Sequence, residues 1–110
     1  MKSAIVAVSA MMMSFQVLAS GSVLINGKEV KSQEDLHGMF AKQLNFPANY
    51  GKNLDALYDT LSTDSSGQAV IKIKSLSILK SKLGNDYVEA LIRTISDASA
   101  DNPKIVLLLE

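Results

Sequence analysis

Two aspartates one helical turn apart, Asp55 and Asp59, are the residues whose type and spacing most clearly predict chemistry. An α-helix turns by about 100° per residue, so at i and i+4 the two carboxylates lie about 40° apart on one face. Like charges at this spacing destabilise a helix by about 0.2–0.5 kcal/mol. Taken alone, the pair fits an ordinary solvated acidic face as well as a binding site for a cation, so both interpretations stay open.

The same pair argues against catalysis. Acid–base enzymes need titratable groups whose surroundings separate their pKa values, whereas Asp55 and Asp59 share one helix face without a histidine or cysteine beside them in the sequence. The only histidine of the chain is His37, which we expect on a helix surface, and cysteine is absent. We therefore predict a protein that is not an enzyme and has no metal or other cofactor.

Composition indicates one domain without bulk charge. The chain has 110 residues, of which 11 are basic and 11 acidic, which suits a single compact domain. A balanced charge gives no reason to expect direct contact with nucleic acid or with a membrane once any leader is removed. An electrostatic function must therefore come from local clustering of charges.

The first residues are typical of a secretory leader. Lys2 is followed by an apolar stretch from Ala4 to Val17 and by small residues ending at Ala19 and Ser20. The stretch is shorter than the roughly 20 residues that span a bilayer, and it matches the order of a signal peptide. We predict a signal peptide over residues 1–19, a domain over 20–110, and a periplasmic or secreted location. An uncleaved anchor or a core helix is the alternative.

Hydrophobic periodicity predicts alternating strands and helices. Strands are expected at 22–25, 69–74 and 105–109, and helices from the Ser32 cap to Pro47 and at 53–62, 75–83 and 86–100. Helical crossovers between strands imply parallel pairing. The predicted fold is α/β, a three-stranded and mostly parallel sheet packed by about four helices. Because its last strand is continuously apolar, we expect that strand in the sheet interior.

The carboxylates fall on the second predicted helix. Gly51 allows a sharp turn into this helix, and Asn53 is a strong N-cap candidate. Leu54, Leu57, Tyr58 and Leu61 form its inner stripe. Tyr58 lies at the edge of that stripe, where it could belong to the core or to a contact surface.

The segment from Tyr50 to Leu61 resembles the signature of the barstar family, Tyr-Gly-x-Asn-Leu-Asp-Ala-Leu-x-Asp-x-Leu, at every fixed position. Further matches are Ile-Asn-Gly at 25–27, Asp-Leu-His at 35–37, Phe-Pro at 46–47 and the apolar ending Ile-Val-Leu-Leu-Leu. The resemblance covers nearly the whole chain after the leader. It implies the barstar fold and the inhibition of an extracellular ribonuclease of the barnase type.

The resemblance also implies which residues bind the enzyme. Asp59 would enter the pocket where the enzyme's Arg, Lys and His side chains hold an RNA phosphate, and Asp55 would pair with neighbouring cations. The other contact residues implied are Asn49, Tyr50, Gly51, Asn53, Leu54, Tyr58 and, at the periphery, Asp97, which stands where the family has a glutamate.

Two differences from the family bear on the partner. Asn49 stands where a stacking aromatic residue is found, and no tryptophan lies near Asp64. Aromatic anchors often dominate interfaces, so a ribonuclease related to barnase is favoured over barnase itself. The expected partner is a cationic secreted or periplasmic ribonuclease, bound 1:1 by a monomer. The alternative is another cationic enzyme, a lysozyme or a nuclease toxin, bound by the same fold as a periplasmic immunity protein.

Overall fold

The computed structural model describes residues 21–63 and 68–110. The elements in chain order are β1 (Gly21–Asn26), α1 (Gln33–Leu44), α2 (Leu54–Thr63), β2 (Ala69–Lys74), α3 (Leu76–Leu83), α4 (Asn85–Asp101) and β3 (Ile105–Leu109). The predicted signal peptide and Asp64 lie outside the described residues. Within the described part, no helix has both the length and the apolar character needed to cross a membrane.

The three described strands form one parallel sheet in the order β1-β2-β3. This confirms the predicted α/β fold. Odd-numbered strand residues face the helices, and Val23, Ile25, Ile71 and Ile73 are fully or almost fully buried there. The even-numbered face is more accessible, as Leu24 and Lys74 illustrate. The helices therefore pack on the odd-numbered face, where the core lies.

The position predicted for the last strand is wrong. β3 is an edge strand and β2 is central. Leu108 and Leu109 keep 44% and 43% of their surface exposed; Leu108 lies on the accessible even-numbered face, and Leu109 is the last residue of the strand. A continuous apolar run shows that both faces of a strand tolerate apolar side chains. It does not show whether the strand is central or at the edge of the sheet.

The outer edge of β1 is occupied by a side chain of α1. The backbone N–H of Leu24 donates to Oε1 of Gln43 at 2.9 Å, and Nε2 of Gln43 donates back to the Leu24 carbonyl at 3.2 Å. The glutamine amide thus makes the pair of hydrogen bonds that a peptide group of a neighbouring strand would make. This contact fixes α1 against the sheet.

The ends of α1 are set by its sequence. Oγ of Ser32 accepts a hydrogen bond from the Asp35 N–H at 3.0 Å, and the Asp35 carboxylate accepts one from the Lys31 N–H. This is close to a capping box. The helix ends at Asn45, whose left-handed backbone (φ 58°) lets its N–H donate to the Ala41 carbonyl. Pro47 follows two residues later.

His37 does not lie on the helix surface as the sequence suggested. Its side chain is buried, with 1% of its surface exposed, as are Leu36 and Phe40 on the same helix. The sheet covers one side of α1, and the hydrogen-bond partners of His37 come from the segment after α1 and from α4. The buried side of α1 therefore includes a polar residue, His37, beside the apolar Leu36 and Phe40.

The stripe predicted for α2 is half-buried at Leu54 and Tyr58. Leu57 and Leu61 of α2 are buried, as are Val88, Leu91, Ile95 and Ala98 of α4. Gly84, with φ 95°, separates α3 from α4 in a conformation that favours glycine. At the other end of α4, Nδ2 of Asn102 donates to the Leu61 carbonyl at 2.9 Å. α2 and α4 are thus joined near their C-terminal ends.

Candidate functional site: an acidic face on two helices

The start of α2 is held by Asn53. Its Oδ1 accepts a hydrogen bond from the Ala56 N–H at 2.7 Å, which confirms the predicted N-cap. The sharp turn before it is made by Lys52, which has a left-handed backbone (φ 55°), and not by Gly51 as predicted. Gly51 instead lies where there is little space for a side chain. A Cβ there would lie 3.3 Å from Cβ of Ala56, tighter than most such contacts.

The carboxylates of Asp55 and Asp59 face away from the core. Both residues are exposed, while Leu57 and Leu61 on the opposite side of α2 are buried. Among residues 21–63 and 68–110, no cation lies within ion-pair distance of either carboxylate. At i and i+4, their Cβ atoms are about 6 Å apart. The helix therefore carries two exposed carboxylates that pair with no cation of the described residues.

The acidic surface continues onto α4 through Tyr58. The Tyr58 hydroxyl donates a hydrogen bond to the carboxylate of Asp101. That hydrogen bond, partial desolvation and the charges of Asp101 and Asp97 raise the pKa of the Tyr58 phenol. Asp97 is therefore near α2, as its predicted peripheral role requires. We call Asp55, Asp59, Asp97 and Asp101 the acidic face.

Asp101 was missed by the sequence analysis. It is exposed and belongs to the last turn of α4. Its spacing from Asp97 is i, i+4, the same as that between Asp55 and Asp59. A search for repeated acidic pairs on neighbouring helices would have found it.

The segment before α2, residues 45–53, is called the connecting loop here. Asn49 and Gly51 are exposed, and Leu54 at the start of α2 is half-buried against the core. Lys52 lies 3.8 Å from the carboxylate of Glu34. Within the loop, the Tyr50 N–H donates to the Pro47 carbonyl at 3.0 Å. The predicted contact residues from Asn49 to Asp59 thus form one continuous stretch of loop and helix.

Tyr50 points its hydroxyl into the domain. The hydroxyl lies 2.7 Å from Nδ1 of His37, and the other ring nitrogen of His37 lies 2.8 Å from the hydroxyl of Tyr87. Burial raises the pKa of both tyrosines. Burial and the nearby Lys52 charge lower the pKa of His37, which favours its neutral form. The ring of Phe46 packs on Tyr50, with centroids 4.8 Å apart.

The side chains of this surface could bind cationic groups. In the described ranges, no group of three or more His, Asp or Glu side chains is placed to hold a metal ion. Exposed carboxylates on a capped helix can accept charge-assisted hydrogen bonds from Arg and Lys side chains, which are stronger than neutral ones. The site therefore suits binding to a cationic protein surface.

A parallel three-stranded sheet covered on one face by helices, with two carboxylates on the second helix, defines a small α/β class of barstar-like domains. Comparison with known families agrees: the family model described as Barstar (barnase inhibitor) matches residues 21–109. The chain belongs to the barstar family. It is also similar to a Bacillus subtilis (strain 168) protein named "Putative ribonuclease inhibitor YrdF", with 29% identity over 79 residues, which is 72% of this chain and 86% of that protein.

Proposed function

We propose that this protein inhibits a ribonuclease of the barnase type by placing Asp55 and Asp59, the part of the acidic face on α2, in the enzyme's active site. Membership of the barstar family and the name of the Bacillus subtilis relative support a role as a ribonuclease inhibitor. The observation that carries the mechanism is the exposure of Asp55 and Asp59, with no cation of the described residues within ion-pair distance.

The mechanism is mimicry of the substrate's charge. A ribonuclease must hold the phosphates of RNA with cationic side chains, and a carboxylate is the protein group that can replace a phosphate there. Asp59 is the central acid and Asp55 pairs with neighbouring cations. The connecting loop contributes Asn49, Gly51 and Asn53 at the surface, and Asp97 contributes at the periphery.

The energetic balance depends on preorganisation. Burying a carboxylate is unfavourable unless it is paired and hydrogen-bonded, so the enzyme's cations must meet both acids in fixed positions. The N-cap at Asn53 and the packing of Leu57 and Leu61 already fix α2 before binding. Less ordering is then needed when the complex forms, which favours affinity.

The proposed location is the periplasm or the exterior of the cell, on the basis of the predicted leader over residues 1–19. An inhibitor there would meet a secreted ribonuclease outside the cytoplasm. Asn49 in place of an aromatic anchor favours a target that differs from barnase in the surface opposite this position.

The test is a titration of the purified protein against a panel of secreted ribonucleases, lysozymes and nuclease toxins. The proposal expects stoichiometric 1:1 loss of RNA cleavage for at least one ribonuclease and no effect on lysozymes. Inhibition of a lysozyme alone would contradict it. Turnover of RNA or peptidoglycan by the protein itself would also contradict it.

A further inference from the structure

His37, Tyr50 and Tyr87 form a buried polar cluster that the inhibitory mechanism does not use directly. They come from three separate parts of the chain: α1, the connecting loop and the first turn of α4. The two tyrosine hydroxyls bracket the imidazole, at 2.7 Å from Nδ1 and 2.8 Å from Nε2. His37 is thus the point at which the connecting loop is tied to α4.

The two hydrogen bonds depend on each other. A neutral imidazole has one N–H donor and one bare nitrogen acceptor, so one tyrosine hydroxyl must donate to His37 while the other accepts from it. Fixing one of these bonds fixes the tautomer and thereby the direction of the other bond. Because His37 is almost fully buried, losing either tyrosine hydroxyl leaves a ring nitrogen without a partner in the interior.

The packing of the Tyr50 ring alone would not fix the orientation of the connecting loop. Phe46 contacts the Tyr50 ring at a tilt of 59°, and such aromatic contacts are compatible with a range of offsets. A hydrogen bond from the phenol end is directional. Tyr50 is thus held at both ends, by Phe46 at the ring and by His37 at the hydroxyl, and Gly51 to Asn53 follow immediately.

We infer that Tyr87 is a positioning residue for the inhibitory surface: through the buried imidazole of His37, it holds Tyr50 and the connecting loop in the conformation that presents α2 to the enzyme. This inference rests on the proposed function. Tyr87 itself does not need to touch the ribonuclease. Its role is to keep His37 in one tautomer and one orientation.

The test uses Tyr87→Phe, which keeps the ring and removes the hydroxyl. We expect the variant to dissociate from the inhibited ribonuclease about 2- to 10-fold faster than the wild type, the range set by one hydrogen bond. We expect a similar rise in hydrogen exchange of the Tyr50 amide, which is bonded to Pro47 inside the loop. Nitrogen-15 spectra of His37 should show one tautomer in the wild type and a mixture in the variant.

The matched control is Ile71→Val. Ile71 is fully buried in the central strand and pairs with Val23 and Leu107, outside the loop and α2. This change loosens the core without touching the cluster. It should leave the dissociation rate, the relative exchange of the Tyr50 amide and the His37 tautomer unchanged.

The outcomes separate the two claims. If Tyr87→Phe behaves like Ile71→Val in dissociation and loop exchange, Tyr87 is only structural and the inference is overturned. If the wild type inhibits no ribonuclease, the proposed function fails. Loop exchange and the His37 spectra, which need no enzyme, then still decide whether Tyr87 controls the connecting loop.

Discussion

The hydroxyl of Tyr58 on α2 donates to the carboxylate of Asp101 on α4, and this contact joins the two helices that carry the acidic face. A second link lies one turn further, where Asn102 donates to the Leu61 carbonyl. α2 is therefore fixed from its N-cap to its last turn. Because α2 is held at both ends, the repulsion between Asp55 and Asp59 does not displace it from the domain.

Replacing Asp59 should abolish tight inhibition. We expect Asp59→Ala to weaken binding by about 2–5 kcal/mol, the usual effect of truncating one partner of a buried charge pair. Stability should be unchanged or slightly higher, since a like-charge pair at i, i+4 is relieved. Inhibition constants and urea unfolding measure the two effects. Glu89→Gln, an exposed acid outside the acidic face, is the control. Unchanged inhibition by Asp59→Ala would show that the binding site is elsewhere.

Association should be steered by charge. Raising the salt concentration from about 50 to about 500 mM shortens the Debye length to a few ångströms, so the association rate should fall much more than the dissociation rate changes. Stopped-flow mixing with the target ribonuclease gives both rates. An association rate that does not depend on salt would point to an apolar contact surface.

The hydrogen bond from Asn102 to the Leu61 carbonyl should stabilise the folded protein. Asn102→Ala leaves the Leu61 carbonyl without its side-chain partner inside the protein, and we expect a loss of about 1–3 kcal/mol in the free energy of unfolding. Asn85→Ala, in which an exposed amide that bonds to Glu89 is removed, serves as the control and should have a much smaller effect. Equal effects of the two changes in urea unfolding would contradict the anchoring role of Asn102.

Stability should fall in mild acid because of His37. Its pKa is lowered in the folded state by burial and by Lys52, so the unfolded chain binds the proton more tightly, near its ordinary pKa of about 6.5. The contribution of His37 is complete above that value. It is lost as the pH falls from about 6.5 to the lower folded-state pKa. Among the described residues, Tyr50 and Tyr87 hydrogen-bond the two ring nitrogens, and Lys52 is the charged residue that lowers the His37 pKa.

Because the chain has a single histidine, an NMR titration of its ring protons reads this pKa directly, and urea unfolding across the same range gives the stability. A His37 pKa at or above 6.5 in the folded protein would contradict the prediction.

The leader should be removed on export. When the full chain is produced in a Gram-negative host, the protein in the periplasmic fraction should have the mass of residues 20–110. Intact-mass spectrometry of the periplasmic and cytoplasmic fractions checks this. Full-length protein in the membrane fraction would favour an uncleaved anchor.

The helical parts of the site were predictable because they follow local rules. The stripe of Leu57 and Leu61 repeats at helical spacing, Asn53 has the side chain that caps a helix, and helical crossovers imply parallel strands. The stripe and the cap are decided within a few turns of helix, and the parallel direction follows from the order of strands and helices along the chain. The structure confirms all three.

The failures concern contacts made across the chain. His37 was placed on the surface because its polarity was weighed without its partners, which are 13 and 50 residues away. β3 was placed inside the sheet because strand order is not encoded in the strand itself. The left-handed turn falls on Lys52 and not on Gly51, and nothing in the local sequence marks a lysine for that backbone conformation.

The amide of Gln43 has a consequence for how the molecule behaves among its own copies. By imitating the peptide group of an absent fourth strand at Leu24, it blocks the backbone pairing through which another chain could extend the sheet from β1. Self-association along that edge is suppressed without any charge being placed there. The acidic face, in contrast, belongs to α2 and α4 and takes no part in protecting this edge.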